Sequence, residues 1–221
     1  MGLLHFFRKD YGKLLEDLLS ADLRTRHGQE LLKRLRASGS GALAALRDTE
    51  GRGSGRVKPF DRHLEPERFS EFWRIAISAE ITKRVGGKAF GMVIATLGDG
   101  LRVRRGWAES VLLYMGGMWR KGESLKDFQP LDFGNRMWQE AKQPLIDYVQ
   151  GGRSNDDDGC VRLLASIASA NDVEPIVERV SVGSARTFGI YLDSVSGVDD
   201  KVAFRRRYQE LLKNKEATQP R

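Results

Sequence analysis

The chain has 221 residues, 40% hydrophobic and 30% charged, with a formal net charge of +7 and a sequence pI near 9.6. That is enough apolar mass for a buried core in one domain, or one domain with an appended arm. No run approaches the ~18–20 uncharged apolar residues that cross a bilayer, and a single cysteine, Cys160, excludes an intramolecular disulfide and fits a reducing intracellular compartment.

The start shows no secretory pattern of charged, apolar and small-residue regions. Charge is unevenly spread. Residues 1–60 carry 12 Lys+Arg against 7 Asp+Glu, and residues 61–120 carry 10 against 7. Residues 121–160 invert the balance, 5 against 8. A basic N-terminal half followed by an acidic segment favours a polyanionic partner on one side and contact between copies.

In chain order, residues 3–23 predict an amphipathic helix, with Leu3, Phe7, Tyr11, Leu14, Leu15 and Leu18 recurring at three- and four-residue spacing. Its tip joins Leu3, Leu4, Phe6 and Phe7 to Arg8 and Lys9, a composition suited to an acidic membrane surface. Gly2 lacks the hydroxyl residue that N-myristoylation wants at position six, where Phe6 stands. Ser20 and Asp22 are candidate caps for a second helix through Leu23, Leu31, Leu32 and Leu35, ending near Ser38 to Gly41. Ala42 to Leu46 reads as a further helical turn or two.

Residues 48–59 are rich in glycine and arginine and form a linker or loop. Arg52 and Arg56 there are candidate phosphate contacts. Glu65-Pro66-Glu67 opens a helix, with proline in the first turn and acids at its positive end. Phe69, Phe72, Trp73, Ile75, Ala76, Ile77 and Ala79 make that helix largely buried, and it is expected to stop at Gly86-Gly87.

Met92 to Leu97 is a short apolar, β-branched run, followed by Gly98-Asp99-Gly100 and Leu101 to Arg105. Asp-Gly favours the positive φ of tight turns, so a β-hairpin is expected. A helix from Phe90 to Leu97 is the alternative that periodicity leaves open. Trp107 to Met115 reads as a helix, and so does Asn135 to Val149, where Pro144 implies a kink or break. After a loop over 151–159, Cys160 to Ala170 is a short buried helix. Val177 to Val182 and Thr187 to Val195 predict a second hairpin, turning at Gly183 to Arg186. Asp199 to Lys215 closes the chain as a helix carrying Arg205-Arg206-Arg207, and the tail after it is expected to fray.

Templates for chemistry fail one by one. GGKAFG at 86–91 lacks the order of a phosphate-cradling loop. The aspartate-rich loop, aligned on Gly159, places Ala165 where a calcium loop needs a bidentate glutamate. His5, His27 and His63 are isolated, so no zinc site is expected. Cys160 reads as a small buried hydrophobe rather than a nucleophile. Neither a cofactor nor a metal is implied.

The pattern with positive support is basic and aromatic. In an extended strand Arg102 and Arg104 share a face about 6–7 Å apart, near the spacing of adjacent phosphates. Lys83, Arg84 and Lys88 precede them, Arg105 and Trp107 follow, and an exposed tryptophan would offer a plane for a base. Arg205 and Arg206 form a second cluster.

The expected architecture is therefore α+β and predominantly helical. It comprises an N-terminal helical arm over 1–47, a linker over 48–59, a compact domain with two β-hairpins over 60–215 and a frayed tail over 216–221. The expected function is non-enzymatic: contact with the phosphate backbone of RNA or DNA with little sequence reading, together with self-association into a homo-oligomer. A nucleocapsid-like coat or an accessory RNA-binding protein fits. The alternative is a matrix-type peripheral protein whose N-terminal tip and basic surface meet acidic lipid.

Overall fold

The computed structural model describes residues 13, 14, 17, 21, 25–48, 66–119, 128–152, 154 and 157–218. The tip Leu3 to Lys9, most of the helix expected over 3–23, and Arg52 and Arg56 lie outside the described residues. Two compact units divide the chain, Met1–Ala89 and Phe90–Arg221.

In the first unit, α1 (Arg26–Arg36) starts at Thr25, whose hydroxyl accepts from the Gly28 amide at 3.1 Å. The cap is thus Thr25, not Ser20 or Asp22. Gly28, Leu31, Leu32 and Leu35 form its buried stripe. α2 (Ser40–Asp48) buries Ala42, Leu43 and Leu46. α3 (Pro66–Val85) begins at the expected proline and buries Ile75 to Ala79 and Ile81. Its buried Ser78 and Thr82 hydroxyls are satisfied by the carbonyls of Arg74 and Ser78, each at 2.7 Å. Gly86, at φ 77, ends the helix with its amide on the Thr82 carbonyl; that left-handed conformation favours glycine.

The second unit is also helical, which overturns both hairpins. Residues Met92 to Leu97 fall largely within α4 (Gly87–Thr96), and Leu101 to Arg105 span the cap and first turn of α5 (Arg102–Met115). The reason is periodicity. Phe90, Val93, Ile94 and Leu97 are buried at i, i+3, i+4 and i+7, a helical stripe, and a window opened at Met92 cuts off its first member. Asp99 does not turn a hairpin; its carboxylate accepts the Leu101 amide at 2.8 Å at the entry to α5.

The second hairpin fails in the same way. Val173, Ile176, Val177 and Val180 repeat the helical stripe of α8 (Val173–Arg179). Gly183 to Arg186 is not a turn but the opening of α9 (Val182–Ile190), capped by Ser181, which accepts the Ser184 amide at 3.1 Å. Among the described residues the one β-type pairing is an isolated parallel bridge between Ser169 and Ser196.

α6 (Arg136–Gln150) is capped by Asn135 and runs through Pro144 without ending there. α7 (Asp157–Ile167) is the central helix, in contact with α5, α6 and α9, and of its described side chains it leaves only those of Asp158 and Arg162 exposed. Trp138 of α6 is fully buried, edge-on to Phe90 at 5.6 Å. α10 (Lys201–Thr218) closes the unit against α8 and α9. No helix of the described residues is long and apolar enough to cross a membrane.

Candidate nucleic-acid interface

Net charge is concentrated in the first unit. Met1–Ala89 carries 18 Lys+Arg against 12 Asp+Glu, a net +6, whereas Phe90–Arg221 carries 19 against 18, a net +1. On α1 the leucine stripe turns Arg26, Lys33 and Arg34 to the exposed side. Arg26 and Lys33 are seven residues apart, about 10 Å along the axis. No acid among the described residues takes up Arg26, Lys33 or Arg34. Glu30 shares this face, so the stripe is net +2 by formal count.

The edge of the stripe is tied down instead. Arg36 makes a two-pronged bond to Glu80 of α3, at 2.6 and 2.7 Å. Arg84 donates to the Ser38 carbonyl just beyond α1, placing a cation where the carbonyls at a helix C-terminus favour one. Lys83 is half-buried and Lys88 is exposed in the first turn of α4. Of the candidates in this unit, Arg84 is therefore partly structural, while Lys88 reaches solvent.

The arginines expected on a strand face behave differently on a helix. Residues 102 and 104 are about 200° apart around α5, so their shared face is lost. Arg102 is exposed. Arg104 pairs with Asp99 at 3.3 Å. Arg105 folds back onto the Asp99 and Gly100 carbonyls at 2.8 and 2.9 Å. Trp107 is 1% exposed and Trp119 7%, so neither presents a plane to a base.

The C-terminal triplet is split as well. Arg205 bonds Asp193 at 2.8 Å, and Arg207 bonds Glu174 at 3.0 Å. The hydrogen bond from Arg205, then its charge, holds the Asp193 carboxyl below its usual range. Arg206 remains exposed on the outer side of α10.

A buried polar cluster escaped the sequence reading. Glu109 of α5 is 2% exposed. Its carboxylate accepts from Tyr148 of α6 at 2.9 Å, Ser154 at 2.6 Å and the Cys160 thiol of α7 at 3.5 Å. Burial first, then the Glu109 charge, push the Tyr148 hydroxyl far above its ordinary value, so it stays a proton donor. A carboxylate at this depth needs such donors. The arrangement ties α5, α6, α7 and the segment at Ser154 to one point. Glu109 looks like a helix-start acid in the sequence. Its one distinguishing sign is its position within the apolar run from Trp107 to Met115.

A second such point is Asp172, which accepts from Lys142 at 2.5 Å and from the Ser169 amide and hydroxyl at 2.8 and 2.7 Å. Burial raises its pKa, but the bonds from Lys142 and Ser169 outweigh that and leave it depressed.

No family model, curated protein or solved structure matches this chain.

Proposed function

We propose that this chain is a non-enzymatic nucleic-acid-binding protein whose first unit contacts the phosphate backbone. The observation that carries the reading is the outward face of α1, where Arg26, Lys33 and Arg34 are not taken up by described acids, in a unit of net +6. Flexible, solvated cations of this kind attract phosphate through counterion release and impose no fixed geometry on a base. Binding is therefore weakly dependent on sequence and steeply dependent on salt. RNA and DNA both meet that description, and parallel titrations of the two separate them.

Self-association belongs to the same reading. A basic unit in one copy has a charge complement in residues 121–160 of another, which carry 5 Lys+Arg against 8 Asp+Glu. Sedimentation at low and high salt checks it, with dissociation expected as salt rises. A reducing intracellular setting suits a chain whose single cysteine, Cys160, is buried and in no disulfide.

The deciding experiment titrates labelled single-stranded RNA and DNA of mixed sequence with the full chain across a salt series. A linear fall of log affinity with log salt is expected, and the R26A/K33A/R34A variant should flatten the slope by about 2. An unchanged slope in that variant, or no binding at low salt, sinks the proposal.

A further inference from the structure

Attachment of α10 to its unit differs in kind from that of the helices beneath it. Of its 18 residues, Tyr208 is the buried one, with Phe204, Leu211 and Leu212 partly covered. α7, at 11 residues, buries Cys160, Val161, Leu163, Leu164, Ala165 and Ile167. What else holds α10 is polar and open to water.

On one side, Arg207 bonds Glu174 at 3.0 Å and Lys215 donates to the Glu178 carbonyl at 2.8 Å, both on α8. On the other, Glu216 accepts from Arg186 of α9 at 2.7 Å. Arg205 grips Asp193 ahead of the helix. α10 thus touches α8 and α9 along its length. Tyr208 lies against Gly189, and its hydroxyl donates to the Ala185 carbonyl. The charged groups are largely exposed: 55% and 50% for Arg207 and Glu174, 57% and 60% for Arg205 and Asp193. Each exposed pair contributes little alone and weakens in salt, so what holds α10 is several such pairs acting together.

A cleft of about 160 Å³ lies under the first turn of α10, lined by Leu192, Val195, Val198 and Phe204 together with Asp193 and Arg205. Gly197, at φ 70, turns the chain into the helix in a conformation that favours glycine.

We infer that α10 is a detachable strap, held between α8 and α9 by carboxylate–guanidinium pairs, which releases when those pairs are lost while α5 to α7 stay folded. Release frees Arg186, Arg205 and Arg207 and uncovers the seat of Tyr208 along Ala185 and Gly189. Sub-global opening of this kind draws on the least buried element of a unit.

Hydrogen exchange on the full chain tests it, comparing wild type with the E174Q/D193N/E216Q variant, which keeps shape and removes charge. In about 0.05 M salt the variant's α10 amides should exchange at least about tenfold faster than wild type, with α7 amides unchanged within about twofold. Wild type in about 1 M salt should move in the same direction. Equal protection of α10 in both proteins overturns the inference. So does a variant that loses protection in α7 together with α10, because the helix would then open only with the core.

Discussion

The exposed face of α1 in the first unit and the surface helices of the second use their cations in opposite ways. In Met1–Ala89 the exposed face of α1 leaves Arg26, Lys33 and Arg34 to solvent, and only its edge is engaged, through Arg36 and Glu80. In Phe90–Arg221 guanidiniums are recruited into the fold: Arg104 to Asp99, Arg186 to Glu216, Arg205 to Asp193 and Arg207 to Glu174. Similar residue types thus leave an exposed basic face on α1, in a unit of net +6 by sequence, and largely paired guanidiniums in a unit of net +1. The lesson is that a count of cations locates a binding surface only after the carboxylates within reach are known.

The contrast is broken most forcefully from inside the second unit. Glu109→Ala removes the shared acceptor of the Tyr148 and Ser154 hydroxyls and the Cys160 thiol. It should cost about 3–5 kcal/mol by urea unfolding, with nucleic-acid affinity of the folded fraction unchanged. A loss under about 1 kcal/mol would show that water reaches the cluster.

Gly189→Ala comes next. A Cβ there meets the Tyr208 ring at 2.7 Å, so the ring must shift, at a cost of about 1–3 kcal/mol. An unchanged melting temperature would mean that α10 is not seated as described.

Charge reversal sharpens the comparison directly. K33E/R34E in the first unit should weaken nucleic-acid binding about 10–100-fold at low salt. R205A/R207A in the second should change it less than about twofold, since those side chains already have partners. Equal losses from both pairs would erase the distinction between the units.

The smallest effect concerns acid. The Asp172 carboxyl is depressed in the folded state from its ordinary 3.8. Its contribution is complete above 3.8 and is lost as pH falls through the lower, folded value. Asp172→Asn should remove that acid-sensitive step and lower stability near neutrality by about 1 kcal/mol or less. A stability-against-pH curve unchanged by the substitution, below 3.8, would deny Asp172 its role.

Residue order alone set most of the helices. The stripe of Leu31, Leu32 and Leu35, the proline start at Pro66, the glycine stop at Gly86 and the Asn135 cap all act within one or two turns, and local signals can be read locally. The two hairpins fail because short apolar runs satisfy two periods at once: over Phe90 to Leu97 periodicity leaves helix and hairpin open and the structure takes the helix, and over Val177 to Val182 the residue that settles the period, Val173, lies upstream of the run. Tertiary structure alone decided where charge goes. Glu109 finds its donors 39, 45 and 51 residues away, and Arg207 finds Glu174 across 33. Coulomb attraction and hydrogen bonding act over a few ångströms of space whatever the separation along the chain, so which cations remain for a partner is fixed only once the helices have packed.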